Sequence, residues 1–366
     1  MHIYITSLVL ILVLGLLLGI TRPNTGLSAL KNNNRDLNQK FFIIVSSMVL
    51  ISLRFFVDIH SVPDLYAYSL GYEQITKKDL NDIAFGAIYD VKMPEIGFRF
   101  FMKFVSYLSN SFSFFLLIFG WIWFCLYYRL IKTYSPYIIL SIILLALGGY
   151  SQSLFVLRQH MAMAITFCAF PYIIHQDLKK YVIALTIAFA FHQTALISIP
   201  LYFLYSIKSN NKLILSLVVV SIAAFFLFAS LLSYFGLSLL LGYESYIAAD
   251  VGTNATGALI SLCNLSAYVY FLRKRVFDEG INRLLFICCF LSTVFNFIGI
   301  GYGPTSRLLM YFSSIEFLLI PVIVRYINNR WIRNIYISAI IVLMLYMCFY
   351  GSGSLSIQKI SFSFFS

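Results

Sequence analysis

Residues 154 to 174 read LFVLRQHMAMAITFCAFPYII, a stretch that is apolar except for Arg158, Gln159 and His160 near its start. A helix of this length crosses a hydrocarbon core of about 30 Å. Similar apolar runs recur from one end of the chain to the other. With 61% hydrophobic and 11% charged residues, the composition predicts an integral membrane protein built from helices.

The apolar runs predict an all-α, polytopic membrane protein with about 10 to 12 transmembrane helices, in one membrane domain over residues 1–366. The first run has no positive leader and no small-residue cleavage site, so we expect a retained helix. The six cysteines lie inside apolar runs and read as core residues. The predicted spans are 2–20, 40–57, 111–128, 136–150, 154–174, 181–207, 212–235, 257–272, 283–300, 306–325 and 331–350.

Lysine and arginine concentrate in the connections that the positive-inside rule assigns to the cytoplasm. The acidic loop at 58–110 and a second loop at 236–256 then lie outside, together with both termini. The net charge of +12 therefore indicates orientation in a membrane rather than binding of nucleic acid.

Residues 179–212 have basic residues at both ends, so both ends belong on one face of the membrane. This pattern predicts a short helix hairpin near 181–207. Each arm is only about 18 Å long at 1.5 Å per residue, so the turn near His192 lies at membrane depth. Irregular backbone at that depth must pack in protein or line a wet cavity.

On this topology five cations lie near the outer surface, against the positive-inside rule: Arg54, Arg99, Lys103, Arg158 and Arg307. Charges at that depth need a counter-ion, which is either a protein carboxylate or a ligand. Guanidinium groups suit phosphate oxygens because they donate two parallel hydrogen bonds. A lipid-linked pyrophosphate that carries a sugar chain fits this pattern.

Several motifs, in their order along residues 50 to 325, resemble the EpsG-type bacterial polysaccharide polymerases, relatives of the Wzy O-antigen and capsule polymerases. They are Arg54, VPDLYAYSLGY at 62–72, PEIGFRF at 94–100, LRQHMAMAI at 157–165, AFAFHQTALISIPLY at 188–202 and GPTSRLLMYF at 303–312. The resemblance implies polymerisation of undecaprenyl-pyrophosphate-linked repeat units at the outer face of the bacterial inner membrane. It also implies a fold similar to GT-C-type glycosyltransferases and a chain-length regulator as partner.

Glycosyl transfer from a pyrophosphate needs stabilisation of the departing charge and removal of a proton from the acceptor hydroxyl. We expect Arg158 to stabilise the diphosphate, with Arg54 and Arg307 as supporting clamps. His192 is the first candidate for the base, and Asp64 and Glu95 are alternatives. The remaining expected binding residues are Arg99, Glu95, Tyr66 and Tyr68. No nucleotide, cofactor or metal motif occurs in the sequence, so we expect metal-independent chemistry on a membrane lipid substrate.

Each assignment has a structural alternative. Arg158 and Arg307 could extend their charges to the lipid headgroups, and Arg99 and Lys103 could be interfacial anchors. His192 could cap two half-helices, Asp64 could be a turn residue after Pro63, and Tyr66, Tyr68 and Tyr72 could form an interfacial belt. Two other functions remain open, a flippase for lipid-linked oligosaccharide and an O-antigen ligase.

Overall fold

A computed structural model describes residues 2–20, 33–85, 95–206, 255–273, 275–278, 280–298 and 305–350. Every regular element in these residues is helical, which confirms the predicted all-α class. The helices are α1 (His2–Leu18), α2 (Asn33–Phe55), α3 (Pro63–Thr76), α4 (Leu80–Phe85), α5 (Ile96–Ser106), α6 (Phe112–Tyr134), α7 (Ile138–Leu144), α8 (Tyr150–Phe155), α9 (Leu157–Cys168), α10 (Phe170–Ile174), α11 (Leu178–Phe191), α12 (Ile199–Ser206), α13 (Ala255–Leu272), α14 (Arg275–Asp278), α15 (Gly280–Ile298), α16 (Thr305–Ser313), α17 (Glu316–Tyr326) and α18 (Arg330–Tyr350).

Six segments in the described residues are long and apolar enough to cross a membrane: Leu37–Phe55, Phe112–Tyr134, Ile138–Phe155, Gly280–Phe297, Leu308–Tyr326 and Arg330–Cys348. Two shorter apolar helices cover Tyr4–Leu18 and Gly257–Leu272. These helices coincide with predicted spans. The span predicted at 212–235 and nearly all of the loop predicted at 236–256 fall outside the described residues.

The structure interrupts three of the predicted spans. The run at 154–174 is divided among the end of α8, α9 and α10, and the run at 306–325 between α16 and α17. The third, at 181–207, breaks after Phe191, where His192 precedes a short 3-10 helix at Gln193–Ser198. The break near His192 is therefore confirmed, whereas the return of the chain as a hairpin stays a prediction.

The chain divides into two compact units. The first comprises Met1–Phe170, Lys179–Leu196 and Glu316–Ser366, and the second comprises Pro171–Leu178 and Ile197–Ile315. In the first unit α7 packs against α1, α2, α6 and α17, and all its residues are buried. Of the segment Ile138–Phe155, 83% is buried, against 22% of Arg330–Cys348. This segment is therefore the centre of the first unit.

In the second unit α15 packs against α12, α13, α14 and α16. Polar bonds join its helices: Thr293 Oγ1 donates to the carbonyl of Ser261 at 3.2 Å, and the Tyr268 hydroxyl donates to the carbonyl of Asn282 at 2.6 Å. Such bonds link helices where a lipid environment supplies no hydrophobic driving force.

The acidic segment predicted as an external loop at 58–110 is largely helical in its described part. A single 3-10 turn precedes α3, which begins at Pro63 with Asp64 in its first turn, as proline and acidic residues favour. Tyr72 is buried and its hydroxyl donates to the carbonyl of Ser109 at 2.6 Å, so it does not form part of an exposed aromatic belt.

The predicted amphipathic helix around Lys103 is present as α5, with Phe98, Met102 and Val105 buried. Lys103 is itself buried, so the alternative that it anchors an interface is wrong. Its ammonium donates to the carbonyls of Ile75 and Thr76, at 3.4 and 3.2 Å. A cation at these carbonyls stabilises the end of α3.

Candidate functional site

Four side chains from separate helical segments meet in the first unit, and we call them the Glu95 cluster: Tyr68, Glu95, Arg158 and His192. Glu95 precedes α5 and its side chain is only 5% exposed. One carboxylate oxygen accepts a hydrogen bond from Arg158 Nη1, and the other lies 2.6 Å from His192 Nδ1. Both oxygens of this buried carboxylate are therefore occupied by protein partners.

Arg158 lies at the second position of α9, where no side chain caps the helix. Its Nε donates to the Tyr68 hydroxyl at 3.2 Å, and its guanidinium lies 5.7 Å from the centre of the Tyr68 ring. A cation at a helix N-terminus is opposed by the helix dipole, which Glu95 offsets. The two bonds leave Nη2 without a partner in the described residues, and 19% of the side chain is exposed.

His192 follows the last residue of α11 and is buried. Its backbone N–H still donates to the carbonyl of Ala188 at 2.9 Å, so the ring projects from the end of the helix. A carboxylate only accepts hydrogen bonds, so the proton between His192 and Glu95 belongs to Nδ1. In the neutral ring Nε2 then carries a lone pair that can accept a proton.

Gly97 allows α5 to approach α11 closely enough to form the cluster. A Cβ atom at this position would lie 2.7 Å from the backbone oxygen of Ala190, closer than real Cβ contacts. Ala190 is two residues before His192, and Gly97 is two residues after Glu95. The small residue in PEIGFRF therefore brings the carboxylate and the imidazole together.

The electrostatics of the Glu95 cluster favour an ionised carboxylate. Burial raises the pKa of Glu95, but the hydrogen bond with His192 and the charge of Arg158 outweigh it, and the pKa lies below its ordinary value. Burial likewise raises the pKa of Tyr68, opposed by Arg158. The Tyr68 hydroxyl therefore keeps its proton while it accepts the bond from Arg158.

Arg54 lies in a different setting, which we call the Arg54 pocket: Arg54, Phe119, Trp123, Tyr150 and Ser153. Its side chain is 0% exposed. Nη1 donates to the carbonyl of Ser153 at 3.2 Å and Nη2 donates to the Ser153 hydroxyl. The guanidinium carbon lies 4.9 to 5.1 Å from the centres of the three aromatic rings. In this position Arg54 cannot touch a ligand unless the pocket opens.

The other predicted site residues have separate positions. Asp64 is exposed in the first turn of α3, one turn before Tyr68. Tyr66 is 43% exposed, with its ring 5.0 Å from that of His60. Arg99 is half-buried on α5, where its backbone N–H donates to the backbone carbonyl of Glu95. Arg307 lies on α16, but its side chain is outside the described residues.

Two contributors were not singled out from the sequence: Gly97 in the Glu95 cluster and Ser153 in the Arg54 pocket. His160 is 0% exposed on α9, and neither ring nitrogen has a hydrogen-bond partner in the described part of the chain. The signal for Gly97 was its position inside PEIGFRF, between the acidic and basic residues. In the described residues no three histidine, cysteine, aspartate or glutamate side chains gather as metal ligands do.

A model of the EpsG family matches residues 37–364. The chain belongs to the EpsG family. The resemblance identified from the sequence is therefore confirmed, and membership of the EpsG family indicates a polysaccharide polymerase-like, glycosyltransferase-like function. Neither a curated protein nor a solved structure matches the chain. Similarity to GT-C-type glycosyltransferases stays a prediction.

Proposed function

We propose that this EpsG family protein polymerises lipid-linked oligosaccharide repeat units. In this proposal it transfers a growing glycan from undecaprenyl pyrophosphate to an incoming lipid-linked repeat unit. The reaction takes place at the outer face of the bacterial inner membrane, with both termini on that side. The observation that carries the proposal is the Glu95 cluster, since it joins a carboxylate, a candidate base and a cation, which together fit glycosyl transfer from a pyrophosphate.

The acceptor hydroxyl loses its proton to His192 Nε2 as its oxygen attacks the anomeric carbon of the donor sugar. Glu95 holds the imidazole by Nδ1 and stabilises the positive charge that develops on the ring. Glu95 itself was an alternative base. Because both of its oxygens are engaged, it fits better as the residue that orients His192.

The bond between the anomeric carbon and the pyrophosphate oxygen breaks as the new glycosidic bond forms, and the bond electrons leave on the pyrophosphate. Arg158 offers Nη2, which has no partner in the described residues, to a phosphate oxygen, and the start of α9, which no side chain caps, adds positive potential. These donors are in place before reaction, which is the condition for effective charge stabilisation.

Asp64, one turn from Tyr68 on α3, and the exposed Tyr66 extend the proposed site toward the sugar chains. Tyr68 positions Arg158 rather than stacking on a sugar, because its ring is buried. Arg307 and Arg99 remain proposed contacts for the lipid-linked ligand. A chain-length regulator as partner and metal-independent chemistry are part of the same proposal.

Gel electrophoresis of surface polysaccharide tests the proposed function. A deletion strain is complemented with wild type, Arg158→Ala, His192→Ala or the control Arg129→Ala, whose side chain is exposed near the end of α6. We expect the deletion, Arg158→Ala and His192→Ala to collapse the ladder to a single repeat unit. Arg129→Ala should give a full ladder.

Two results would contradict the proposal. Loss of every repeat unit from the surface in the deletion strain would indicate a flippase or a ligase instead of a polymerase. A full ladder with Arg158→Ala and with His192→Ala, at normal expression, would remove the Glu95 cluster from the reaction.

A further inference from the structure

The helix that carries Arg158 starts at a break in the chain. α8 ends at Phe155, Val156 has φ −116° and ψ 64°, and α9 begins at Leu157. In an unbroken helix the carbonyl of Ser153 would accept the N–H of Leu157. The break removes that partner, and a buried carbonyl without a partner is costly, above all inside a membrane.

Arg54 supplies the replacement. Its Nη1 donates to this carbonyl at 3.2 Å, and its Nη2 donates to the hydroxyl of the same residue, Ser153. The Ser153 hydroxyl in turn donates to the carbonyl of Tyr150. The planar fork of Arg54 therefore holds the last turn of α8 from the side of α2, as a C-terminal cap does.

A second hydrogen bond joins α8 and α2, one turn before the first on each helix. The Tyr150 hydroxyl donates to the carbonyl of Leu50 at 2.7 Å, and Leu50 is four residues before Arg54 on α2. The end of α8 is thus fixed to α2 at two points, and the direction in which α9 leaves depends on both. Arg158 is the second residue of α9, so its position depends on them too.

Burying Arg54 costs free energy, because in the described residues its partners include no carboxylate. Three aromatic rings and two neutral oxygens offset part of that cost. An apolar side chain would fill the same space without the desolvation penalty, but it could not bond the carbonyl of Ser153. The bond to the broken helix is therefore what the arginine adds.

We propose that Arg54 is a positioning residue, which caps the broken end of α8 and thereby fixes Arg158 at the start of α9. This inference rests on the proposed function of the Glu95 cluster. It replaces the expectation from the sequence that Arg54 grips the pyrophosphate. Arg54 acts on the reaction only through the placement of Arg158.

Hydrogen–deuterium exchange on the purified full-length protein in lipid nanodiscs tests the cap directly. Arg54→Met should raise exchange in residues 153–160 on the order of 10-fold, as expected for loss of a buried hydrogen bond, with little change elsewhere in the first unit. Arg54→Lys should give a smaller rise, since an ammonium can bond the carbonyl but cannot reproduce the fork. Arg129→Met is the matched control and should exchange like wild type.

Chain extension with purified lipid-linked repeat units separates positioning from binding. Arg54→Met should lower the maximal rate on the order of 10-fold and leave the half-saturating substrate concentration nearly unchanged, with Arg54→Lys partly restored. A raised half-saturating concentration with unchanged exchange at 153–160 would make Arg54 a ligand residue and overturn the inference. So would a uniform rise of exchange across the first unit in both variants.

Failure of the proposed function gives a different result. Arg158→Ala removes the proposed reacting charge but leaves the Arg54 pocket intact. If the wild-type protein extends no chains, the proposed function fails, and if Arg158→Ala extends chains as wild type does, the Glu95 cluster is not the reacting site. In either case the exchange of residues 153–160 still decides whether Arg54 caps α8.

Discussion

The Arg54 pocket and the Glu95 cluster each hold a guanidinium inside the first unit, but they stabilise its charge in different ways. Arg158 bonds a carboxylate and a phenol, and 19% of its side chain stays exposed. Arg54 bonds neutral oxygens between three aromatic rings, and none of its surface is exposed. A cation with every donor enclosed stabilises a structure, whereas one with an open donor can also bind a ligand.

The largest expected effect comes from removing the carboxylate of Glu95, so that Arg158, like Arg54, is left with neutral partners. Glu95→Gln keeps the shape of the side chain but removes the charge that orients His192 and neutralises Arg158. We expect chain extension to slow by about 100- to 10,000-fold, as for loss of a positioned base. The measurement is the extension rate of the purified protein with lipid-linked repeat units.

Glu73→Gln is the matched control for this change. Glu73 lies on the exposed face of α3 and pairs there with Lys77 at 2.7 Å, a surface pair that contributes little. It should extend chains at the wild-type rate. If Glu95→Gln is as active as Glu73→Gln, the carboxylate is only a structural counter-ion.

A smaller effect is expected from separating the helices that form the Glu95 cluster. Gly97→Ala places a methyl group 2.7 Å from the backbone oxygen of Ala190, which cannot yield as a flexible side chain does. α5 and α11 must then move apart, and Glu95 moves away from His192. We expect the extension rate to fall by about 100-fold while expression stays normal.

Ile96→Ala is the comparison for Gly97→Ala, because Ile96 is the neighbouring residue and is 41% exposed. It should leave the rate unchanged. Equal rates for Gly97→Ala and Ile96→Ala would show that the close approach of α5 and α11 is not needed for activity.

A glycine-to-alanine substitution beside the Arg54 pocket should lower the stability of the protein. In Gly120→Ala the new Cβ would lie 2.5 Å from Arg54 Cδ, and Arg54 is fully buried and held by Ser153. Overpacking of this kind costs about 1 to 3 kcal/mol in the free energy of unfolding. Thermal unfolding of the purified protein measures it.

Gly148→Ala provides the reference for Gly120→Ala, since among the described residues its Cβ would meet nothing closer than Met344 Cε at 3.8 Å. It should be neutral or slightly stabilising, because alanine is the better helix former. An unfolding temperature for Gly120→Ala equal to that of Gly148→Ala would show that the pocket can relax around Arg54.

The sequence was sufficient for the six long apolar segments and the two shorter apolar helices of the described residues, because hydropathy acts locally along the chain. It did not reveal the breaks within 154–174 and 306–325. It also named all four members of the Glu95 cluster: Arg158 and His192 as polar residues inside apolar runs, and Tyr68 and Glu95 in motifs of the acidic segment that resemble the family. It did not reveal their pairing. Glu95 and His192 are 97 residues apart, and their contact depends on the approach of α5 to α11 at Gly97.

The sequence also could not show what surrounds Arg54. An arginine near the end of an apolar run has the same sequence signature whether it faces a ligand or an aromatic pocket. The difference depends on Trp123 and Tyr150, which lie on other helices, and on Gly120, which leaves room for the side chain. The interfacial alternative for Lys103 was wrong for a similar reason, since its partners at the end of α3 are distant in sequence.

The smallest expected effect is the contribution of Glu95 to stability as a function of pH. The folded pKa of Glu95 is lowered, so its ionised form stabilises the fold fully above the unfolded pKa of about 4.3. That contribution declines as the pH falls below this value and is lost as the pH passes through the folded pKa. Glu95→Gln lacks it at every pH.

Thermal unfolding of wild type and Glu95→Gln across this acidic range isolates the contribution, because the other acids are common to both proteins. The wild-type advantage in unfolding temperature should be constant near neutral pH and shrink on acidification. Parallel curves for wild type and Glu95→Gln would mean that His192 and Arg158 do not hold Glu95 in its ionised form.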